Sequence, residues 1–250
     1  MSAINLSQDR GAKSASLCEG ILNARRFKGE FNITDENIDF LFDGFFDFRN
    51  QEVPQFNFLA NVKHFDFKAL NLSTKPWQIR GLAIVDVKNK KWSDLEGLAV
   101  LSGIEVQNDT NFYLLDNLSL ISKSDGLGRK RVEIQSEIIE ADIQGKFDIE
   151  KIPNAVKNLF FNAFPGFAQA LSWKKAKNIP VDFDIVFNAR IKKSDGWESL
   201  LLPGLSNLNG TEIKGEINYK KNLSLASVKI PNISINKLVI RGSYAQLNLN

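Results

Sequence analysis

The chain is poor in the residues that most often build chemistry. Its 250 residues include one cysteine, Cys18, one histidine, His64, and one methionine. A single cysteine excludes an intrachain disulfide framework, and a single histidine removes most metal-ligand sets and acid–base pairs. No run approaches the roughly 20 apolar residues of a membrane-spanning helix. The opening MSAINLSQDRGAK is polar from its second residue and has no signal-peptide apolar region. Either the protein is cytoplasmic or this is an internal piece of a longer exported chain, and the long coiled sheet expected from the alternation favours the second. Charge of one sign is lacking too, since 32 Lys and Arg against 29 Asp and Glu leave a net +3. The basic pairs Lys90-Lys91, Lys174-Lys175, Lys192-Lys193 and Lys220-Lys221 are scattered and read as turns or solvated faces. No nucleic-acid footprint is expected.

Catalytic signatures are equally scarce. There is no G-x-x-x-x-G-K-[ST], no G-x-G-x-x-G opening a helix and no H-E-x-x-H. Asp125-Gly126-Leu127-Gly128-Arg129 sits between two alternating runs, which makes it a hairpin turn rather than a phosphate loop. Cys18 has only His64 as an imidazole partner, with no acidic orienter implied. The pairs Asp39/Asp43, Glu137/Glu140 and Asp182/Asp184 fall on polar strand faces. Glycoside hydrolysis needs carboxylates facing across a cleft. No catalytic residue, metal site or cofactor is expected, and the protein reads as a non-enzyme.

What the chain does have is phenylalanine: 19 Phe against 4 Trp and 3 Tyr. Phe suits strands and has no polar handle, so it marks a face that stays dry. Polar and apolar residues alternate almost throughout. Short runs are expected at Phe31/Ile33, Ile38/Phe40/Phe42, Phe46/Phe48, Phe56 to Val62, Phe65/Phe67 and Leu70/Leu72. Further strands are expected at Ile79 to Val87, Leu98 to Val106, Leu114 to Ser122, Val132 to Glu140, Val181 to Ala189, Ile213 to Tyr219, Leu223 to Ile230 and Leu238 to Leu249. Asp43-Gly44, Ser124-Asp125-Gly126, Ser194-Asp195-Gly196 and Asn209-Gly210 supply turns. The phrases KGEFNI (28–33), QGKFDI (144–149) and KGEINY (214–219) each set a glycine before alternating residues. A glycine there predicts a bulge or bend at a strand start.

The expected fold is all-β, a long, antiparallel, strongly coiled sheet forming one elongated domain over 1–250. One segment departs from this. Residues 151–172 carry apolar positions at helical spacing, predicting a helical insertion in the β domain: a short amphipathic helix near 153–163, interrupted at Pro165-Gly166 and followed by a turn or a short second helix. Near Phe45-Phe46 and Leu200-Leu201-Leu202 alternation does not decide the face, because one bulge flips the parity.

Every strand offers one apolar face, and burying a Phe contributes ~1.5–3 kcal/mol, so something must cover it. A second sheet of the same chain, a partner chain or lipid would do so. The residues expected to line the apolar face are Phe31, Ile33, Phe40, Phe42, Phe56, Phe58, Phe67, Ile143, Phe147, Phe160 and Phe164.

Residues 114–165 also carry a likeness. They run from LLDNLSLISKSDGLGRKRVEIQSEIIEADIQGKFDIE into KIPNAVKNLFFNAFP. With Ser136, Ala141, Gly145, Phe147, Asp148 and the Ile152 to Phe164 stretch, this segment resembles a repeat unit of the Bacteroidetes versions of the TamB (AsmA-like) family. The resemblance implies a segment of a long periplasmic protein, anchored in the inner membrane by an N-terminal helix. It implies a β-taco whose apolar groove conducts phospholipid through contact with its acyl chains. It also implies work in outer-membrane biogenesis with an outer-membrane barrel of the Omp85 class. This chain shows neither the family's anchor nor its C-terminal domain. The other reading is a structural or adhesive β-sandwich or solenoid module whose Phe residues pack on one another.

Overall fold

A computed structural model describes residues 2–3, 14–16, 20–23, 25–50, 54–89, 95–108, 110–148, 184–194, 196–201, 204–221, 223–235 and 238–249, with 154, 158, 161, 166 and 169 singly. Among the described residues the structure is nearly all-β: an antiparallel sheet that stays open, with short helical segments. The chain divides into two compact units, residues 1–121 and 122–250.

The first unit contains β1 (Ser2–Ala3), β2 (Ser14–Ser16), β3 (Gly20–Asn23), β4 (Arg26–Thr34), β5 (Ile38–Asp47), β6 (Gln55–Asp66), β7 (Gln78–Asn89) and β8 (Leu95–Gln107). β9 (Phe112–Ser124) carries the chain into the second unit. From β3 onward the spatial order follows the sequence, with β1 on β3 and β2 on β4. That order follows from connections too short for a crossover, which leave antiparallel neighbours as the available pairing.

Several strands are longer than the alternation suggested. Asp43-Gly44 is not a turn. It lies inside β5, where Gly44 sits opposite Gly29 of β4 and Phe58 of β6. Phe46 therefore belongs to the same strand as Phe40 and Phe42. Leu70 and Leu72 are not in a strand, because the Asp66 carboxylate accepts the amides of Lys68 and Ala69, both at 2.9 Å, and turns the chain. The Leu72 amide then donates to the Phe67 carbonyl at 2.8 Å. Register shifts occur at Asp39/Phe40, Val62/Phe65 and Arg80/Leu82.

The second unit contains β10 (Lys130–Ser136), β11 (Ile139–Lys146), β12 (Asp184–Ile191), α1 (Trp197–Leu201), β13 (Leu205–Ser206), β14 (Glu212–Asn218), β15 (Leu223–Ile235) and β16 (Leu238–Leu249). Its strand order is β10-β11-β12-β14-β15, with β13 and β16 also on β15. The expected strand from Val132 to Glu140 is two strands, because the Ser136 hydroxyl accepts the amides of Ile138 and Ile139 at 3.1 and 2.9 Å and closes a tight turn. The Asp125 to Arg129 segment is a hairpin turn. Asp125 Oδ1 accepts the amides of Leu127 and Arg129 at 2.8 and 3.0 Å, holding the Asp125 carboxyl below its ordinary pKa, with the Leu127 amide the largest cause.

The phrase glycines do not lead strands. Gly29 lies inside β4, Gly145 near the end of β11 and Gly215 in the middle of β14, and the register is continuous at all three. At Gly215 the reason is close approach rather than a bulge: an added Cβ would lie 2.6 Å from both the Phe187 ring and the Leu225 carbonyl oxygen. The large side chain on β12 covers the gap left on β14.

The second unit's apolar face is buried at its centre, while Ile134, Ile143 and Ile213 on the same face are half-buried. Val132, Ala141, Phe187, Ala226 and Val228 are buried, and Ile185 is 1% exposed. Asn154, Asn158, Phe161, Gly166 and Gln169 are helical, in agreement with a helical insertion. The rest of that segment, with Phe160 and Phe164, lies outside the described residues. The short helix α1 falls where alternation did not decide, and the Glu198 carboxylate in its first turn accepts the Asn207 amide at 2.8 Å.

Candidate functional site

The phenylalanine face of the first unit is built by register. Across β4 to β8 one row reads Phe27, Phe46, Phe56, Val87, Gly97, and the next reads Gly29, Gly44, Phe58, Val85, Ala99. Below them come Phe31, Phe42, Ala60, Ala83, Leu101, and then Ile33, Phe40, Val62, Gly81. These rows carry no charged or hydrogen-bonding side chain. Phe31, Ile33, Phe40, Phe42, Phe56 and Phe58 thus meet on one face, as their parity predicted.

The glycines organise the rings. Phe42 and Phe46 lie four residues apart on β5, a separation of roughly 13 Å along an extended strand. Their ring centroids are nevertheless 5.0 Å apart, because both rings lean over Gly44. Phe58 stands beside the same glycine and meets Phe42 at 5.4 Å and Phe46 at 5.3 Å. Phe27 and Phe31 close the other side at 5.9 and 5.7 Å from Phe42. Such offset and tilted pairs add ~0.5–1.5 kcal/mol each beyond their area. Phe42, at the centre, is 3% exposed. Phe31, Phe40, Phe56 and Phe58 around it are only half-buried.

The remaining expected lining residues are distributed differently. Phe67 follows β6, and its ring packs 4.8 Å from Phe65, which pairs with Ile38 and Ile79 at the end of the same face. Ile143 and Phe147 belong to the second unit. Phe147 is buried beneath Lys130, whose Nζ lies 5.5 Å from the ring centroid and donates to the Phe147 carbonyl at 2.7 Å. Sequence reasoning left Phe27 and Phe46 off the lining. Carrying the alternation straight through Gly29 and Gly44 would have found both.

Polar chemistry is confined to the other face and the connections. Asp47 is clamped by Arg49, with Nη2 to Oδ2 at 2.6 Å, and lies 3.6 Å from Arg26. The hydrogen bond from the Arg49 side chain, above all, lowers the Asp47 carboxyl to about 2. His64 stands opposite Asp39 in the ladder, while Cys18 lies outside the described residues. Among the described residues no group of three or more His, Cys, Asp or Glu is placed to hold a metal ion, and no helix is long and apolar enough to cross a membrane.

The site is therefore a non-polar face on an open antiparallel sheet, lined by rings and backed by a charged surface. Compared with known proteins, the chain matches no family model, no curated protein and no solved structure.

Proposed function

We propose that the first unit binds phospholipid acyl chains on its phenylalanine face, as a non-enzymatic lipid-binding or lipid-conducting segment of the cell envelope. The observation that carries this reading is a continuous ring-lined surface whose Phe31, Phe40, Phe56 and Phe58 are only half-buried around one buried ring. Left wet, each of these rings forgoes part of the ~1.5–3 kcal/mol of full burial. The size suits an acyl chain. From Ile38 to Phe46 the face runs roughly 26 Å along β5, against roughly 15 Å for one leaflet of hydrocarbon. Its lack of polar side chains suits a chain that slides rather than docks in one pose. With the sequence resemblance, this supports placing the full-length protein in the periplasm, anchored in the inner membrane, working with an Omp85-class outer-membrane barrel.

The buried centre of the second unit's apolar face favours a structural role for that unit, with side chains such as Ile185 and Phe187 serving as an ordinary core.

The test is native mass spectrometry with lipid extraction on the purified chain beside a Phe40→Glu/Phe58→Glu variant. Phospholipid that accompanies the parent and is lost from a still-folded variant supports the reading. A lipid-free parent whose variant simply unfolds makes the face an ordinary core.

A further inference from the structure

The face of the first unit opposite the phenylalanines carries an apolar strip of its own. In register across β4 to β8, one row reads Glu30, Asp43, Leu59, Ile84, Val100. Acid stands at one end and aliphatic side chains at the other. Leu98 and Asp86, paired with each other, flank the aliphatic end. Ile84 is 43% exposed and Leu98 39%, so the strip is open to solvent.

Other carboxylates on this face are paired. Asp39 pairs with Lys63 at 3.5 Å, Arg80 with Glu105 at 3.0 Å, and Asp47 with two arginines. Phe45 is shielded by the Arg26 guanidinium, 5.5 Å from its ring. Glu30 and Asp43, by contrast, are like charges directly opposite in the ladder, an arrangement that costs stability. Among the described residues neither they nor Asp86 forms an ion pair, although Lys28 lies two residues from Glu30 on the same face.

We propose that this strip is a docking surface for a cationic amphipathic helix of another protein. The row supplies what such a helix lacks: carboxylates for a basic end and aliphatic contacts for an apolar stripe. The spacing agrees. Leu59 to Val100 crosses two inter-strand gaps, roughly 9.6 Å, and residues i and i+7 of a helix are roughly 10.5 Å apart. The whole row from Glu30 to Val100 is roughly 19 Å, the length of about 13 helical residues. Its acidic end disfavours an anionic lipid surface, which separates it from the phenylalanine face in chemistry as well as position.

The experiment is selection from a randomised library of 14-residue helical peptides, with anisotropy titrations of the recovered peptides against the parent chain and two folded variants, Glu30→Gln/Asp43→Asn and Ile84→Asn. Circular dichroism checks the fold of each variant, and Leu127→Asn, at an 81% exposed turn residue of the second unit, serves as the control. The expected peptides carry Lys or Arg at one end and apolar residues at i, i+4 and i+7, and each strip variant weakens them about tenfold while Leu127→Asn leaves them unchanged. Recovering no binder, binders without the basic end, or binders indifferent to the strip variants overturns the proposal. So does sedimentation showing that the chain pairs with itself through Ile84, or vesicle binding lost on Ile84→Asn, because the occupant is then a second copy or a lipid surface.

Discussion

Replacing Gly44 with alanine tests the arrangement on which the phenylalanine face depends. Gly44 has φ +152°, and an added Cβ would strike the Asn57 carbonyl oxygen and the Phe58 Cα and lie 2.5 Å from the Phe58 Cβ. These are mostly backbone atoms of β6, so no side-chain rotation relieves them. The backbone conformation costs ~1–3 kcal/mol for a residue with a side chain, and forcing β5 from β6 adds ~1–3 kcal/mol. Gly44→Ala should therefore destabilise by about 2–6 kcal/mol. Gly126 is the internal control. Its φ is +74°, but an added Cβ meets nothing within 4 Å, so Gly126→Ala should cost only the left-handed penalty of about 1–2 kcal/mol. The assay is urea denaturation followed by circular dichroism, with midpoint and slope compared for both variants. If Gly44→Ala costs no more than Gly126→Ala, the strands do not approach at Gly44 as described, and the reason for the rings leaning over it fails.

Acid should report on Asp47. Its folded pKa of about 2 lies below the ordinary value of 3.8. Its stabilising contribution is therefore complete above about 3.8 and lost as pH falls through about 2. A carboxyl NMR titration should place the Asp47 midpoint near the lower value, and Arg49→Ala should move it up toward the higher one. An unmoved midpoint would mean that Arg49 is not its main partner. In the second unit, Lys130→Ala should cost about 2–4 kcal/mol by urea denaturation, since it strands the buried Phe147 carbonyl and removes the cation over the ring. A cost under about 1 kcal/mol would put the Lys130 ammonium in water instead.

Much of the fold was legible because strand parity is local. Phe31, Ile33, Phe40, Phe42, Phe56 and Phe58 share a face for no reason beyond the two-residue repeat. The errors fall where a residue's meaning depends on its neighbour across the ladder. Asp43-Gly44 has the chemistry of a turn, and only the opposite Gly29 and the surrounding rings reveal it as mid-strand. Leu70 and Leu72 alternate like a strand, but the Asp66 carboxylate captures two local amides first. Ser136 ends β10 in the same way, through a side chain competing for backbone donors. Depth was less legible than face. Phe147 and Phe58 follow the same alternation, yet one is sealed under a lysine and the other only half-buried. Parity gives the side of a sheet and not what lies over it.

The most direct measurement of the central claim is site-specific photo-crosslinking in cells, with benzoylphenylalanine at position 58 or 57. These neighbours point to opposite faces of β6, one among the rings and the other exposed beside Asp86. Phospholipid adducts at 58 and not at 57 are the result the account predicts. Adducts at neither position, or equally at both, would contradict an acyl-chain site on the phenylalanine face.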